Sequence, residues 1–413
     1  MINLYNHQKK ALENTKNHNR VAYYLDMGLG KTFVGSEKLH DLGEKMNLVV
    51  CQKSKINDWY KHFKDYYPEY EVIVYNRQRI PNNKKVILII NYDLAWRREN
   101  LKTLKNFTLM LDESSMIKNL SSNRTKFILK LKPKNVILLS GTPVGGKYEE
   151  LYSQIRLLGW DIPKRLFYHQ FMVTTKINIG GFPIEKVVGY KNVDRLKERL
   201  REHGAIFMKT EEVFDLPEVR EIMVNVQSTK EYAKFKKTRI VEIGDKEIIG
   251  DTSLGRMLGE RQLAGAYNEN KYNELKTILE STESRLIIFY NFKYECEAIK
   301  EICKKLNKPI SEVNGSVNDL TNYEEQDNSV TLIQYQAGSM GLNLQKANKI
   351  IYFSLPLQSD LFEQSKKRIH RIGQKNTCLY YYLVTKGSIE EKILKVLKER
   401  KDFTDELFND MED

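Results

Sequence analysis

The chain has 413 residues, 41% of them hydrophobic and 29% charged, which excludes a disordered or fibrous protein and leaves room for about two to three domains. No apolar run approaches the ~18 residues that a membrane span needs, and the opening MINLYNHQKK has neither a signal-peptide core nor a cleavage site, so the protein is expected to stay in the compartment where it is made, without a membrane partner. The net charge of +13 is compatible with a solvated basic surface and fits a nucleic-acid partner better, because phosphate contacts need Lys and Arg.

Apolar, β-rich runs recur from the N terminus: VAYYL (21–25), NLVVCQ (47–52), KVILIINY (85–92), TLMLDE (108–113) and NVILLSGT (135–142). Helical patterns separate them, which predicts a parallel sheet with crossover helices. Residues 145 to about 280 then read as mostly helical and strongly charged. Within LPEVREIMV (216–224), Pro217 breaks a helix before an extended run and marks a hinge. The runs resume at RLIIFYN (285–291), ISEVNG (310–315), SVTLIQYQ (329–336), KIIYFS (349–354) and LYYYLVT (379–385).

The predicted fold class is therefore α/β, two parallel-sheet halves with helical insertions. The first half is expected over residues 1–225, with an insertion at about 145–215. The second is expected over 226–413, with an insertion at about 228–280. After Lys401 come six acidic residues and no basic one, interleaved with Phe403, Leu407, Phe408 and Met411. This tail reads as a docking peptide for a protein partner, an autoinhibitory strip or a frayed helix end. The four cysteines, Cys51, Cys296, Cys303 and Cys378, form no CxxC pair, so no zinc site is expected and a reducing compartment fits.

LDMGLGKT (25–32) follows a strand and leads into a helix. Gly28 and Gly30 let the backbone curl so that its N–H groups point at phosphate. Lys31 would reach the terminal phosphates of a nucleotide, and the Thr32 hydroxyl would ligate Mg²⁺. The strict phosphate-loop pattern asks for Gly where Leu25 stands. At the end of TLMLDESS (108–115), Asp112 would hold Mg²⁺ through water and Glu113 would polarise the attacking water. In LLSGTP (138–143), Ser140 and Thr142 can link the nucleotide site to a bound strand; Gly-Thr-Pro is otherwise an ordinary turn. In KRIHRIGQ (367–374), Arg368 and Arg371 are three apart, which on a helix places them on one face. They can stabilise charge on a transferring phosphoryl group, or they can grip nucleic acid directly.

The motifs form an ordered set that resembles the Swi/Snf-like ATPases of helicase superfamily two over nearly the whole chain. QSKKRIHRIGQ (364–374) resembles the family's last helicase motif, and MGLGKT its phosphate loop, Met27 and Leu29 included. LVVCQKSKINDWYKHF (48–63), with Ser54 and Trp59 retained, resembles its next motif. RLIIFYNFKYECEAI (285–299) and AGSMGLNL (337–344) resemble its fourth and fifth. The resemblance implies two RecA-like lobes, ATP hydrolysis stimulated by DNA, and translocation along duplex DNA. It assigns adenine recognition to Gln8, with His7 beside it, and the nucleotide side of the interlobe cleft to Gly341 and Asn343. Arg371, then Arg368, becomes the arginine finger. Lys53, Ser54, Lys55 and Thr142 become contacts to the DNA backbone, expected to be largely sequence-independent.

The sequence departs from the family pattern at Ser115, where many relatives have His, at Cys51 in place of Pro, and at Gln334 and Tyr335 in place of a Ser-Thr pair. The lack of accessory modules fits a minimal motor in a prokaryotic or viral-host cytoplasm. Three functions follow as alternatives: a double-stranded DNA translocase, a strand-separating or strand-annealing helicase acting on forked DNA, and a nucleotide-gated clamp without turnover.

Overall fold

The computed structural model describes every residue except 1–2, 79, 82–83, 180–181, 245, 336–341 and 409–413. The chain divides into two compact units, one built on residues up to Phe214 and the other on Asp215–Lys401.

In the first unit the five apolar runs become β1 (Arg20–Leu25), β2 (Met46–Cys51), β4 (Val86–Asn91), β5 (Phe107–Asp112) and β6 (Asn135–Ser140). Two short strands join them, β3 (Glu71–Val74) and β9 (Ala205–Met208). All pair in parallel, in the order β3-β4-β2-β5-β6-β1-β9. Alternate residues enter opposite cores: Ala22, Tyr24, Leu48, Val50, Leu109 and Leu111 on one face, Val21, Tyr23, Val49, Cys51, Met110 and Leu139 on the other. Burial on both faces is why these strands read as unbroken apolar runs. Each buried Leu, Ile or Val contributes about 1.5–3 kcal/mol.

The second unit has β10 (Val219–Val226), β13 (Leu286–Tyr290), β14 (Ile310–Val313), β15 (Asn318–Asp319), β16 (Val330–Gln334), β17 (Lys349–Tyr352) and β18 (Cys378–Thr385). Their order is β10-β18-β17-β13-β16-β14-β15, parallel throughout except the β14–β15 edge pair. The same alternation holds: Ile287, Phe289 and Tyr352 face one core, while Leu286, Ile288 and Ile351 face the other.

Residues 145–280 are less helical than the sequence suggests. They contain two antiparallel hairpins, β7 (Met172–Ile179) with β8 (Phe182–Tyr190) and β11 (Ile240–Ile243) with β12 (Lys246–Ile249). Strand β9 also lies here and pairs with β1, so the first insertion returns to its own sheet. Strand β10 pairs over its whole length with β18, so the second unit begins eleven residues ahead of the division expected after residue 225. The acidic stretch starts within a helix, Ile389–Phe408, and its last residues, 409–413, lie outside the described part. All four cysteines are buried free thiols. Among the described residues no helix is long and apolar enough to cross a membrane.

The second unit is closed by a buried ion pair. Lys271 Nζ donates to both Glu390 carboxylate oxygens at 2.6 and 2.7 Å, and the Thr385 N–H donates to the same carboxylate at 3.0 Å. Both side chains are almost fully excluded from solvent. Removing one partner strands a buried charge, at a cost of about 3–5 kcal/mol, whereas removing both relieves it. Lys271→Met is therefore expected to lower the urea unfolding midpoint sharply, and Lys271→Met/Glu390→Leu to recover most of the loss. Equal destabilisation by single and double variants would contradict this.

Candidate nucleotide site

In the first sheet β5, β6 and β1 are neighbours and run the same way, so their C-terminal ends share one edge. Open parallel sheets bind ligands at that edge. Leu25 ends β1 as a fully buried core residue, which explains an apolar side chain where the strict pattern has Gly. The loop then turns through Gly28 (φ 91°) and Gly30 (φ 76°) into helix α2 (Lys31–Leu42). Gly30 has no room for a side chain: a Cβ there would lie 2.1 Å from Gln8 Nε2. The first turn of α2, with Lys31 and Thr32, thus presents free backbone N–H groups and the positive end of a helix dipole to an anion.

The loop is held from three sides. Lys31 Nζ donates to the carbonyls of Leu25 (2.9 Å) and Asp26 (3.3 Å). The Met27 N–H donates to Asp26 Oδ1 at 2.8 Å, and Thr210 Oγ1 donates to Asp26 Oδ2 at 3.1 Å. Helix α1 (Asn6–Asn14) carries Gln8, which is buried; its Nε2 donates to the Leu29 carbonyl at 3.1 Å and its Oε1 accepts from the Tyr5 N–H. His7 Nε2 meets the same Leu29 carbonyl at 3.0 Å, with its ring edge-on to Phe214. Gln8 and His7 are therefore joined to the phosphate loop itself.

Asp112 and Glu113 stand at the end of β5. Burial pushes the Asp112 carboxyl above its ordinary range, opposed by a hydrogen bond from Trp59 and by the ammoniums of Lys31 and Lys55. Trp59 lies on helix α3 (Ile56–Tyr66), 2% exposed and stacked on Phe63, and its Nε1 donates to Asp112 Oδ2 at 2.8 Å. Sequence periodicity marks Trp59 only as core. The missed signal is that a buried indole N–H needs an acceptor. Helix α3 is locked to α2 through His62, whose Nε2 lies 2.9 Å from Ser36 Oγ; burial lowers its imidazole to about 4, so it is neutral near pH 7.

Glu113 adopts φ 53°, a left-handed conformation that costs a non-glycine residue about 1 kcal/mol. The Tyr92 hydroxyl clasps this turn, 2.9 Å from the Asp112 carbonyl and 3.3 Å from that of Glu113. Ser140 Oγ donates to Glu113 Oε2 at 3.3 Å and accepts from the Thr142 N–H at 3.2 Å. The Thr142 hydroxyl oxygen is buried and has no hydrogen-bond partner among the described residues. Gly141 passes close to Lys31, its Cβ position 3.1 Å from Nζ. Lys31, Asp112, Glu113, Ser140 and Thr142 thus meet at one sheet edge. The oxygen donors Thr32 and Asp112 suit Mg²⁺, a hard cation bound through few carboxylates and several waters.

Lys53, Ser54 and Lys55 form a short 3-10 turn after β2; Lys53 and Ser54 are exposed, and Lys55 Nζ pairs with Asp58 at 2.9 Å.

In the second unit the helix Ser359–Lys366 ends before the arginine motif, so Arg368 and Arg371 do not share a helix face. Turn geometry replaces it, with Gly373 at φ 95°. Gln374 Nε2 donates to the carbonyls of Ala347 (2.8 Å) and Gln345 (3.2 Å), and His370 Nε2 meets the Pro217 carbonyl at 3.0 Å. These bonds favour turns over another helical turn. Arg368 is buried, with Nη1 3.4 Å from the Leu342 carbonyl. Arg371 is half-buried, which lowers its guanidinium pKa. Asn343 is exposed, and Gly341 lies outside the described residues. Tyr335 is core, its hydroxyl on the Ser354 carbonyl at 2.9 Å.

Trp59→Phe keeps the ring stack and removes the indole donor. A hydrogen bond to a charged group contributes about 1.5–3 kcal/mol, so the free Mg²⁺ needed for half-maximal binding of a fluorescent ATP analogue is expected to rise about tenfold, with a lowered melting temperature because the buried carboxylate loses a donor. An unaltered Mg²⁺ requirement would show that the indole does not position the carboxylate.

The SNF2-related domain matches residues 9–284, and the helicase conserved C-terminal domain matches residues 270–373. A Bacillus subtilis (strain 168) protein named as an ATP-dependent helicase/translocase is 25% identical, over 92% of this chain and 46% of its own. The SWI/SNF-related matrix-associated actin-dependent regulator of chromatin subfamily A-like protein 1 of Xenopus tropicalis is 25% identical, over 91% of this chain and 42% of its own. A DNA annealing helicase and endonuclease of Mus musculus is 24% identical, over 93% and 38%. The chain thus spans less than half the length of these relatives. With its phosphate loop, paired strand-end carboxylates and arginine motif in order along two parallel-sheet units, the chain belongs to the SNF2-related family.

Proposed function

We propose that this chain is a DNA-dependent ATPase that converts hydrolysis of ATP into movement along double-stranded DNA. The observation that carries the reading is the meeting of Lys31, Asp112 and Glu113 at one sheet edge, with Ser140 bridging Glu113 to the Gly141-Thr142-Pro143 turn. Lys31 exchanges its loop carbonyls for the terminal phosphates, and the loop N–H groups hold the remaining phosphate oxygens. Glu113 accepts a proton from the attacking water, the task a strand-end carboxylate is suited to. Thr32 and Asp112 would hold Mg²⁺, which would supply neutralisation of phosphate charge. Gln8 reads adenine with the amide edge that its loop contacts leave over. Arg371 first, and Arg368 second, are the guanidinium groups suited to stabilise charge on a transferring phosphoryl group. Lys53, Ser54 and Lys55 hold the DNA backbone, the buried Thr142 joins them only when its turn moves, and the surplus of 67 basic over 54 acidic residues supports a partner read through phosphates.

A second reading, strand annealing or separation at forks, draws on the relative named as an annealing helicase. Strand-displacement and annealing assays on forked DNA decide between the two.

ATP turnover is expected to rise strongly with duplex DNA and to fall by about 10²-fold or more in Glu113→Gln. Equal turnover with and without nucleic acid would reject the motor, and nucleotide binding without turnover would favour a clamp. DNA binding is expected to weaken steeply between 50 and 200 mM salt, as ~0.9 counterions leave per phosphate contacted; a flat response would contradict backbone tracking.

A further inference from the structure

The segment after Glu113 is joined to the Gly141-Thr142-Pro143 turn by a second route that uses none of the residues assigned above to chemistry. Ser114 follows Glu113 in sequence and is fully buried; its Oγ donates to Gln154 Oε1 at 2.7 Å. Tyr24 of β1, also buried, donates its hydroxyl to the same oxygen at 3.0 Å. The other end of the amide, Gln154 Nε2, donates to the Pro143 carbonyl at 2.8 Å. Gln154 is completely buried on the short helix Tyr152–Leu157, between the core residues Leu151 and Ile155. A leucine would fill that volume without any demand for partners. The glutamine is tolerated because it is bonded at both ends.

These contacts close a ring. Glu113 reaches Ser140, Ser140 reaches Thr142, Pro143 follows Thr142, Pro143 reaches Gln154, and Gln154 returns through Ser114 to Glu113. One side of the ring passes through the Glu113 carboxylate, and the other passes only through the buried amide. Displacement of the turn moves the Pro143 carbonyl. A planar amide gripped at both ends transmits that displacement to Ser114, and so to the backbone that holds Glu113 in its left-handed conformation. The Thr142 hydroxyl is buried within the same turn with no bond partner among the described residues.

We infer that Gln154 is a positioning residue that couples occupancy of the Gly141-Thr142-Pro143 turn by nucleic acid to the placement of Glu113. The inference rests on the reading of the chain as a DNA-stimulated ATPase. It assigns to Gln154 the stimulation rather than the basal reaction.

The test compares the wild-type chain with Gln154→Leu, which keeps the volume and removes all three bonds, and with Ser114→Ala, which removes one arm alone. The kcat and KM for ATP are measured with and without saturating duplex DNA, beside thermal melts. In both variants basal kcat and KM are expected to stay within about twofold, while the DNA-stimulated kcat falls about tenfold, the range of a typical coupling between sites. The double variant should be no worse than Gln154→Leu, because both substitutions cut one connection. Should Gln154→Leu fail to melt cooperatively, Ser114→Ala decides alone. If basal and stimulated rates fall by the same factor, or stimulation survives intact in Ser114→Ala, Gln154 is core filling and the inference is overturned. If wild type itself shows no stimulation, the functional reading fails first and the inference falls with it.

Discussion

Placing a carboxylate at the end of a strand buried on both faces is the physical constraint around which the first unit is organised. Asp112 ends such a strand, and burial alone would favour its protonated form. The chain opposes this with the Trp59 indole at 2.8 Å and the nearby ammoniums of Lys31 and Lys55. These groups come from two crossovers: Lys31 from the one after β1, and Lys55 and Trp59 from the one after β2. Parallel pairing of neighbouring strands is what delivers them to one edge. An antiparallel neighbour would carry its own loop to the opposite edge.

The same edge explains why rigidity and adjustability lie side by side. The phosphate loop is clamped by Gln8, His7 and Thr210, and Gly30 leaves no space against Gln8. The Gly141-Thr142-Pro143 turn is held through Ser140 on one side and Gln154 on the other. A firmly held nucleotide end beside a turn with a spare hydroxyl is a sound arrangement for a site that answers to a second ligand.

Much of the fold is legible in the sequence because the central strands are buried on both faces, so KVILIINY and RLIIFYN announce themselves as apolar runs. Strands β3 and β9 are four residues long, and β15 only two, too short for periodicity to stand out. The hairpins β7–β8 and β11–β12 lack a regular apolar–polar alternation, so no strand period stands out in them. At the site, Gly28, Gly30, Lys31 and Asp112 carry chemistry in their spacing. Trp59 and Gln154 do not: one looks like an amphipathic core position and the other like an ordinary helix residue, and only tertiary packing supplies their partners. Likewise the three-residue spacing of Arg368 and Arg371 suggests a helix that Gln374 and His370 replace with turns.

The central claim is that Thr32 and Asp112 hold a divalent cation together with nucleotide. Electron paramagnetic resonance of Mn²⁺ titrated into the protein, with and without ADP, tests it most directly. One tightly bound Mn²⁺ per chain should appear only with nucleotide present and should vanish in Asp112→Asn. Tight Mn²⁺ binding that ignores the nucleotide, or that survives Asp112→Asn, would contradict the account.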